Sequence, residues 1–382
     1  MAVPLLELVT QNNQFVDEVV EEFREFIGKG QYILGDYVTH FEEKVAKHLG
    51  VNHAIGVSSG TDALVLALMA LDIQPGDEVL CPSFSFFATA GCISRLGAIP
   101  IFIDVDRDSF NLNLEDARNK LTNKTKAIIP VHLFGQSCSM SSLLDFAKQN
   151  NLKVIEDTAQ SLGSKYQDSF AGTLSDYGCY SFFPSKNLGS IGDAGLVVTN
   201  NLELAERAKI FRLHGSQPKY YHKWIGGNFR IDALHAMFLT KKLDSISSYE
   251  DARARNAAYY SKCLLADGRF GENQGQSFEN ESKSVLVPLD LKMGKHVWNQ
   301  FTLRIGRGKR DELWNYLKSN GIGAEVYYPV SLHKQECFKN LLPSSCPVSE
   351  EIAGEVLSIP VYPELTVEQM DEVIQTLLKF TY

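Results

Sequence analysis

One lysine in this sequence stands where an amine could take part in chemistry. Lys186 lies in the run Ser181-Phe-Phe-Pro-Ser-Lys-Asn-Leu-Gly189, between a segment that resembles a buried strand (180–183) and a glycine-rich turn (189–195). A solvated surface charge explains such a position poorly, and an amine held there could form a Schiff base with a carbonyl compound. Because most lysines near glycines are ordinary loop residues, the chemical interpretation depends on the rest of the chain.

An acidic side chain further back in the sequence supports that interpretation. Asp157 ends the apolar run 153–157, so a strand there would deliver its carboxylate to the strand's carboxyl end. Pyridoxal phosphate needs an acid beside its pyridine nitrogen, together with a lysine, a phosphate cradle and a flat surface against its ring. Asp157 could equally cap a helix starting at Ala159. Gln160 is placed to bond the ring hydroxyl, although a helix-surface glutamine would be unremarkable.

A helix start provides the candidate phosphate site. The residues 58–62 open the almost wholly apolar run 61–71, which predicts a central helix whose N-terminus lies inside the protein. Unpaired amides at a helix N-terminus bind anions, so Gly60 and Thr61 are the expected donors, with the Ser181 hydroxyl as a third. An N-cap without any ligand is the commoner use of such a segment.

The surrounding pattern predicts how these residues are positioned. Between residues 50 and 200, short apolar runs rich in β-formers alternate with helical patterns, which indicates a mostly parallel sheet covered by helices on both faces. Active residues gather at the carboxyl ends of such strands. Aromatic residues in 82–89 offer a ring to lie on a planar cofactor, although phenylalanine clusters are more often core. The seven runs are 54–57, 78–81, 99–103, 126–131, 153–156, 177–182 and 196–199.

The last third of the chain has a different character and predicts a smaller α/β domain. Its expected elements are helices at 245–265, 311–320 and 366–380 and a strand-like run at 295–306, with 267–284 as a surface loop. The predicted organisation has an N-terminal segment (1–35) that packs with the small domain, a large cofactor-binding domain (36–245) and the small C-terminal domain (246–382).

Composition excludes several classes of protein. The 382 residues carry a formal net charge of -9, which argues against a sequence-independent nucleic-acid binder. The seven cysteines are scattered and never form a CxxC pair, so we expect neither a metal site nor a disulfide framework. No run approaches the ~18 apolar residues of a membrane span, and we expect a cytoplasmic protein.

Six ordered segments give the chain a resemblance, over essentially its whole length, to the DegT/DnrJ/StrS-type sugar aminotransferases. These form a branch of the fold type I pyridoxal-phosphate enzymes, so the resemblance implies that α/β fold, with a mostly parallel seven-stranded sheet between helices and a smaller C-terminal domain. The segments are Ser58-Ser-Gly-Thr-Asp-Ala-Leu64, Pro75-Gly-Asp-Glu-Val79, Ala127-Ile-Ile-Pro-Val-His-Leu-Phe-Gly135, Ile155-Glu-Asp-Thr-Ala-Gln160, Ser181-Phe-Phe-Pro-Ser-Lys-Asn-Leu-Gly189 and Gly227-Asn-Phe-Arg-Ile-Asp232.

The resemblance also implies a role for individual residues. It makes Lys186 the catalytic, cofactor-bonding lysine. The implied cofactor contacts are Asp157 at the pyridine nitrogen, Gln160 at the ring hydroxyl, Phe86 stacked on the ring, and Gly60, Thr61 and Ser181 around the phosphate, completed by Asn228 from a second subunit. The implied assembly is therefore a homodimer with shared active sites.

Two local features refine the predicted reaction. The glycine-rich segment after the lysine is Gly192-Asp-Ala-Gly195, where the family usually has Gly-Asp-Gly-Gly, and we expect only a minor backbone difference. Position 186 is a lysine in this sequence, whereas by resemblance the corresponding position in the dehydratase branch of the family is a histidine. This difference favours transamination. A dinucleotide-dependent oxidoreductase would need a GxGxxG turn, which the segment 56–61 does not supply.

The predicted reaction transfers an amino group, from glutamate by resemblance, to a keto group of a nucleotide-linked sugar. Arg230, His296, Tyr327 and His333 are the candidate substrate-binding residues, although a structural role is the commoner one for buried His and Tyr. The segments around His296 and Lys186 favour the 3-position of a UDP- or dTDP-linked keto-sugar, in amino-sugar, surface-polysaccharide or glycoside biosynthesis. The alternatives are a 4-position aminotransferase, a sugar dehydratase of the same family, and a non-catalytic cofactor-binding regulator.

Overall fold

The computed structural model describes residues 2–341 and 344–382, and within them it has thirteen α-helices and thirteen β-strands. The helices are α1 Val9–Asn13, α2 Val16–Lys29, α3 Asp36–Leu49, α4 Gly60–Ala70, α5 Ala88–Arg95, α6 Leu114–Asn119, α7 Met140–Gln149, α8 Leu202–Arg212, α9 Ala233–Lys242, α10 Ile246–Leu264, α11 Arg310–Ser319, α12 Pro347–Ala353 and α13 Val367–Lys379. The strands are β1 His53–Val57, β2 Glu78–Pro82, β3 Ile99–Ile103, β4 Thr125–Ile128, β5 Lys153–Asp157, β6 Lys165–Tyr166, β7 Ser169–Phe170, β8 Tyr177–Ser181, β9 Gly195–Thr199, β10 Phe270–Glu272, β11 Val285–Val287, β12 Phe301–Ile305 and β13 Val356–Ile359.

A seven-stranded sheet in the order β1-β9-β8-β5-β4-β2-β3 forms the large domain, as the sequence predicts. Only β9 runs antiparallel to its neighbours in this sheet; the remaining strands share one direction. The predicted run 126–131 is cut short, because β4 ends at Ile128 and Pro130 has no amide hydrogen to donate to a neighbouring strand. Pro130 O instead accepts the Asp157 amide at 2.9 Å.

The helix α4 confirms the predicted central helix. Its N-cap Ser59 accepts the Asp62 amide through Oγ at 3.0 Å, and seven of its eleven residues are buried. It packs against β5, β8 and β9 and against α5 and α8, which explains why it is apolar on nearly every side. On the opposite face of the sheet α3 packs against α9, and the Phe41 ring meets the edge of Phe182 with centroids 5.5 Å apart.

A second sheet, in the order β10-β11-β12-β13, forms the smaller C-terminal domain. The expectation of a plain surface loop at 267–284 is wrong, because β10 lies within it and pairs in parallel with β11. Phe270 is the reason, since its buried ring belongs to the small-domain core. Near the N-terminus, buried Val3 pairs with Ile322, whereas α2 contacts α9 of the large domain. The division at residues 35 and 245 stays a prediction.

Candidate active site

A cavity of about 430 Å³ lies where the carboxyl ends of β5 and β8 meet the start of α4. Parallel strands that point the same way bring their carboxyl ends to one edge, so residues far apart in sequence meet there. We call this cavity the main cleft. Seven of the residues predicted to hold a cofactor line it: Gly60, Thr61, Phe86, Asp157, Gln160, Ser181 and Lys186.

Lys186 lies in the main cleft on the turn that follows β8. Its amide donates to Phe183 O at 2.8 Å, which closes the turn. Gly189 ends the segment, and a Cβ there would meet Pro184 O at 2.0 Å, so only glycine allows this close approach. Burial lowers the pKa of Lys186 to about 8, while the Asp157 carboxylate acts in the opposite direction. A larger fraction of neutral amine is therefore present at neutral pH than for an ordinary lysine.

Asp157 is buried at the end of β5 and is held by two donors. Thr89 Oγ1 donates to Oδ2 at 2.8 Å, and the Ala159 amide donates to Oδ1 at 3.2 Å. Burial raises the pKa of Asp157, and the Thr89 hydrogen bond lowers it. The predicted helix after Asp157 is absent from this described segment, since residues 158–163 form turns and the Thr158 amide bonds Cys179 O at 2.8 Å. Asp157 therefore caps no helix.

Gln160 is buried and not on a helix surface, which corrects the ordinary interpretation of this residue. Its Oε1 accepts the Phe134 amide at 2.9 Å, and its Nε2 donates to the Tyr328 hydroxyl at 2.9 Å. These two bonds fix the amide plane at the wall of the main cleft. Tyr328 also faces Phe86, whose ring lies 6.2 Å from it and is 56% exposed. An exposed ring at the mouth of a cleft can cover a flat ligand.

The start of α4 approaches β8 and β9 very closely. A Cβ on Gly60 would meet Ser181 Cβ at 2.7 Å, and one on Gly195 would meet the Ser59 carbonyl carbon at 2.4 Å. Bare Cα atoms at these two positions therefore let the Ser181 hydroxyl and the helix N-terminus lie side by side. Ser59 Oγ accepts the Asp62 amide, whereas the amides of Gly60 and Thr61 have no intrahelical acceptor because they lie in the first turn of α4. This is the geometry of an anion cradle.

Unlike the other predicted cofactor residues, Asn228 lies outside the main cleft, as do three of the four predicted substrate-binding residues. Tyr327 lines the main cleft, and burial raises the pKa of its phenol. Asn228 is exposed and pairs with Leu213, and half-buried Arg230 pairs with Val57 beside the start of α4. Neither is among the described residues that line the cleft.

Both histidines have protein partners outside the main cleft. His296 stacks on Trp298 with centroids 3.8 Å apart, its Nδ1 accepts the Trp298 amide at 3.0 Å, and burial lowers its pKa to about 3. His333 Nδ1 lies 2.6 Å from Ser83 Oγ, and its Nε2 lies 3.0 Å from Glu350 Oε1. Their assignment to substrate stays a prediction, and the observed contacts are structural.

The structure brings to the site several residues that the sequence pattern does not single out. Thr89 holds Asp157, Tyr328 holds Gln160, and Gln300 and Asp193 line the main cleft. Tyr328 directly follows Tyr327, and Gln300 lies four residues after His296, so each is a sequence neighbour of a predicted substrate residue. Thr89 gave no signal, because its contact with Asp157 joins positions 68 residues apart.

Comparisons with known proteins identify the family of this chain. The chain matches the DegT/DnrJ/EryC1/StrS aminotransferase family over residues 13–378, and it belongs to that family. It is 41% identical to a "Pleiotropic regulatory protein" of Geobacillus stearothermophilus, covering 100% of this chain and 99% of the relative. It is 37% identical to a UDP-N-acetyl-3-dehydro-alpha-D-glucosamine 3-aminotransferase of Acidithiobacillus ferrooxidans, covering 97% and 95%.

A solved structure gives the same fold. NtdA from Bacillus subtilis with bound cofactor PMP is 29% identical, with a TM-score of 0.88, and covers 99% of this chain and 84% of that chain. The fold type I assignment is confirmed. Within the described residues, no cluster of three or more His, Cys, Asp or Glu side chains could bind a metal ion, and no helix could cross a membrane.

Proposed function

We propose that this protein is a pyridoxal-phosphate-dependent aminotransferase that moves an amino group from glutamate to a keto group of a nucleotide-linked sugar. The single observation that supports this best is the position of Lys186, an amine of lowered pKa that shares a cleft with the buried Asp157 and an anion cradle. Such a combination of perturbed titratable groups in one cleft is typical of catalytic sites.

The residues of the main cleft fit the cofactor. Gly60 has no room for a Cβ, so the helix amides and the Ser181 hydroxyl converge as a phosphate cradle requires. Asp157 offers a buried carboxylate to a pyridinium nitrogen, and Lys186 offers its amine to an aldehyde. When bound, pyridoxal phosphate withdraws electrons from the donor's α carbon and so makes its proton removable. Phe86 would cover the ring and Gln160 would bond its hydroxyl.

The lowered pKa of Lys186 suits it to carry that proton. With a pKa of about 8, roughly a tenth of the amine is neutral at pH 7, whereas an ordinary lysine is almost wholly protonated. A neutral amine can accept a proton at one carbon and, once charged, return it at another, which is general acid–base catalysis by one group. Asp157 stays ionised more readily because Thr89 donates to it.

The relatives support the substrate class. The 3-aminotransferase of Acidithiobacillus ferrooxidans is named for a UDP-linked 3-dehydro sugar, so we propose amination at the 3-position of a UDP- or dTDP-linked keto-sugar. The pathway would be amino-sugar, surface-polysaccharide or glycoside biosynthesis. Among the four predicted substrate residues, we propose Tyr327 because it lines the cleft, and we keep Arg230 and His333 as proposals. For His296 we propose a structural role, because its ring stacks on Trp298 and accepts the Trp298 amide.

We also propose a homodimer with shared active sites. Asn228 is exposed, and the segment before it carries the exposed apolar side chains Tyr220, Tyr221 and Ile225, which are 71–89% exposed. Exposed apolar side chains next to a functional segment are typical of a protein–protein interface. The cytoplasmic location stays a prediction.

A second candidate is a regulatory protein that binds the cofactor without turnover. The name of the Geobacillus stearothermophilus relative favours it, since that protein is called a regulatory protein. The Lys186 and Asp157 pair opposes it, because a purely regulatory site needs no amine of lowered pKa. A 4-position aminotransferase or a sugar dehydratase of the same fold differs in the product formed.

One screen tests the proposed function. Holoprotein is incubated with L-glutamate and a panel of UDP- and dTDP-linked 3-keto and 4-keto sugars, and products are identified by mass. We expect an amino sugar from a 3-keto substrate and an equal amount of 2-oxoglutarate. Amination only of 4-keto sugars would replace the 3-position assignment, and no amine product with any sugar would leave the regulatory protein as the better explanation.

A further inference from the structure

A tyrosine of the main cleft carries a hydroxyl proton that none of the described residues accepts. Tyr328 lines the cleft, and its hydroxyl makes one hydrogen bond among these residues, in which Gln160 Nε2 donates at 2.9 Å. The phenol oxygen is the acceptor in that bond, so its own proton is free for another group. Polar hydrogens in such sites are almost always bonded, and a free one in a cleft indicates a ligand oxygen as its acceptor.

The direction of this hydrogen bond is fixed by the other end of the Gln160 amide. Gln160 Oε1 accepts the backbone amide of Phe134 at 2.9 Å, and a backbone amide can only donate. The opposite orientation of the side chain would place two donors against each other, so Nε2 faces Tyr328. The tyrosine is therefore an acceptor toward Gln160 and a donor toward the cleft.

The phenol keeps its proton at neutral pH. Burial raises the pKa of Tyr328, and the hydrogen bond from Gln160 offsets only part of this effect. The nearby Asp157 carboxylate has its hydrogen bonds from Thr89 and from the Ala159 amide. A neutral phenol donates without carrying a charge, so it suits an uncharged acceptor such as a carbonyl oxygen.

The position of the hydroxyl is fixed by ring packing as well as by Gln160. Three aromatic rings surround that of Tyr328, with centroid distances of 6.0 Å to Phe84, 6.2 Å to Phe86 and 5.8 Å to Tyr327. A donor that is already held in place loses little freedom when a ligand binds. Tyr328 can therefore contribute to the selection of a ligand as well as to its affinity.

The acceptor of this proton differs from the cofactor's ring hydroxyl, which we assign to the second N–H of Gln160. The two N–H bonds of an amide diverge by about 120°, so an oxygen that accepts the second one lies roughly 5 Å from the Tyr328 oxygen. One oxygen therefore cannot accept both donors. In pyridoxal phosphate the ring hydroxyl and the aldehyde stand on neighbouring carbons, so the assignment of Gln160 puts Tyr328 near the end of the ring where a substrate reacts.

We infer that Tyr328 donates a hydrogen bond to the keto oxygen of the nucleotide-linked sugar and so helps to select the carbon that is aminated. This inference rests on the proposed function in that it takes a keto-sugar as the substrate and Gln160 as the contact of the ring hydroxyl. A fixed donor strengthens the binding of a sugar that has an oxygen at that carbon, whereas contacts with the nucleotide bind every sugar that carries it.

The test compares matched nucleotide sugars on holoprotein without an amino donor, so that binding is measured without turnover. The probes are two pairs of UDP-linked sugars, a 3-keto sugar with its 3-deoxy counterpart and a 4-keto sugar with its 4-deoxy counterpart. Calorimetry gives the dissociation constants. In one pair we expect wild type to bind the keto member at least about fivefold more tightly than the deoxy member, and Tyr328→Phe to lose most of this preference.

Two further variants separate a direct contact from a structural effect. Tyr316→Phe removes the hydroxyl of a half-buried tyrosine on α11 and should keep the wild-type preference. Gln160→Leu removes the amide and keeps the tyrosine hydroxyl. It should weaken the binding of pyridoxal phosphate but, at saturating cofactor, keep most of the preference for the keto sugar.

The outcomes distinguish this inference from the proposed function. The same keto preference in wild type and Tyr328→Phe, or an equal weakening of keto and deoxy sugars in that variant, would overturn the inference. A loss of preference in Gln160→Leu equal to that in Tyr328→Phe would also overturn it, because both variants would then act through the cofactor. A preference that depends on Tyr328, in a protein that forms no amino sugar with L-glutamate, would support the inference and contradict the proposed aminotransferase.

Discussion

The residues predicted to hold the cofactor and those predicted to hold the sugar differ in where the structure places them relative to the main cleft. Seven of the eight cofactor residues line one cleft, whereas only Tyr327 of the four sugar residues does so. Asp157, Ser181, Gly60 and Thr61 lie at strand ends or at the start of α4, and Phe86, Gln160 and Lys186 lie within five residues after β2, β5 and β8, so the topology of a parallel sheet decides their positions. The sugar residues lie on connecting segments, whose paths depend on long-range packing that a local pattern does not encode.

The largest expected effect is that of replacing Lys186, the central residue among those predicted to hold the cofactor. Lys186→Ala should lower transamination by at least about 10³-fold, because it removes the amine that carries the proton. Steady-state turnover with L-glutamate and the accepted keto-sugar measures it. Lys339→Ala removes an exposed lysine and serves as the control. Turnover of Lys186→Ala within tenfold of wild type would show that another group carries the proton.

The lowered pKa of Lys186 also predicts how cofactor uptake depends on pH. Because burial lowers its pKa to about 8, the fraction of neutral amine in the folded protein rises as pH passes through 8 and not through 10.5. The initial rate at which cofactor-free protein takes up pyridoxal phosphate should therefore increase between pH 7 and 9 and then level off. Stopped-flow absorbance gives this profile. A rate that keeps rising to pH 10 would show that Lys186 is an ordinary solvated lysine.

Asp157 tests whether the carboxylate or merely its position matters. Asp157→Asn should lower kcat/KM about 10²–10³-fold, because an amide cannot stabilise a protonated pyridine nitrogen. Thr89→Val preserves shape and removes the donor 2.8 Å from Oδ2, so the pKa of Asp157 should rise further and cofactor affinity should fall about tenfold. Steady-state kinetics measure the first change, and absorbance titrations give the cofactor dissociation constants of both variants. Equal losses of cofactor affinity in the two variants would indicate a packing defect.

Thr89 and Asp157 also show what the sequence could and could not predict. All seven strands of the large sheet and the central helix follow from short apolar runs, because the alternation of strand and helix is a local pattern. The pairing of Thr89 with Asp157 joins α5 to β5 across the sheet and leaves no local trace. The strand β10 was hidden for a related reason, since its polar composition is typical of a loop and one buried ring, Phe270, holds it in the sheet.

Asn228 tests whether a cofactor residue outside the cleft reaches it from a second subunit. Homodimers of Lys186→Ala and of Asn228→Ala should each be impaired. If the sites are shared, a mixed dimer has one intact site, so random exchange of equal amounts should recover about a quarter of wild-type activity. Activity is measured after subunit exchange is proved by native mass spectrometry. No recovery after proven exchange would place Asn228 in its own subunit's site or in neither.

His296 and Tyr327 give the smallest effect on chemistry and sharpen the comparison within the sugar group. His296→Ala removes the stack on Trp298 and the acceptor for its amide, so it should lower the free energy of unfolding by about 2 kcal/mol. Its KM for the nucleotide sugar should stay within about threefold, because its contacts are with the protein. Tyr327→Phe should do the opposite, leaving stability unchanged and raising that KM several-fold, since Tyr327 lines the main cleft. Chemical denaturation and steady-state kinetics of both variants measure the two effects. A raised KM with full stability in His296→Ala would place His296 in the sugar site, as the sequence predicts. The sequence would then identify a binding residue on a loop even where the structure shows it outside the main cleft.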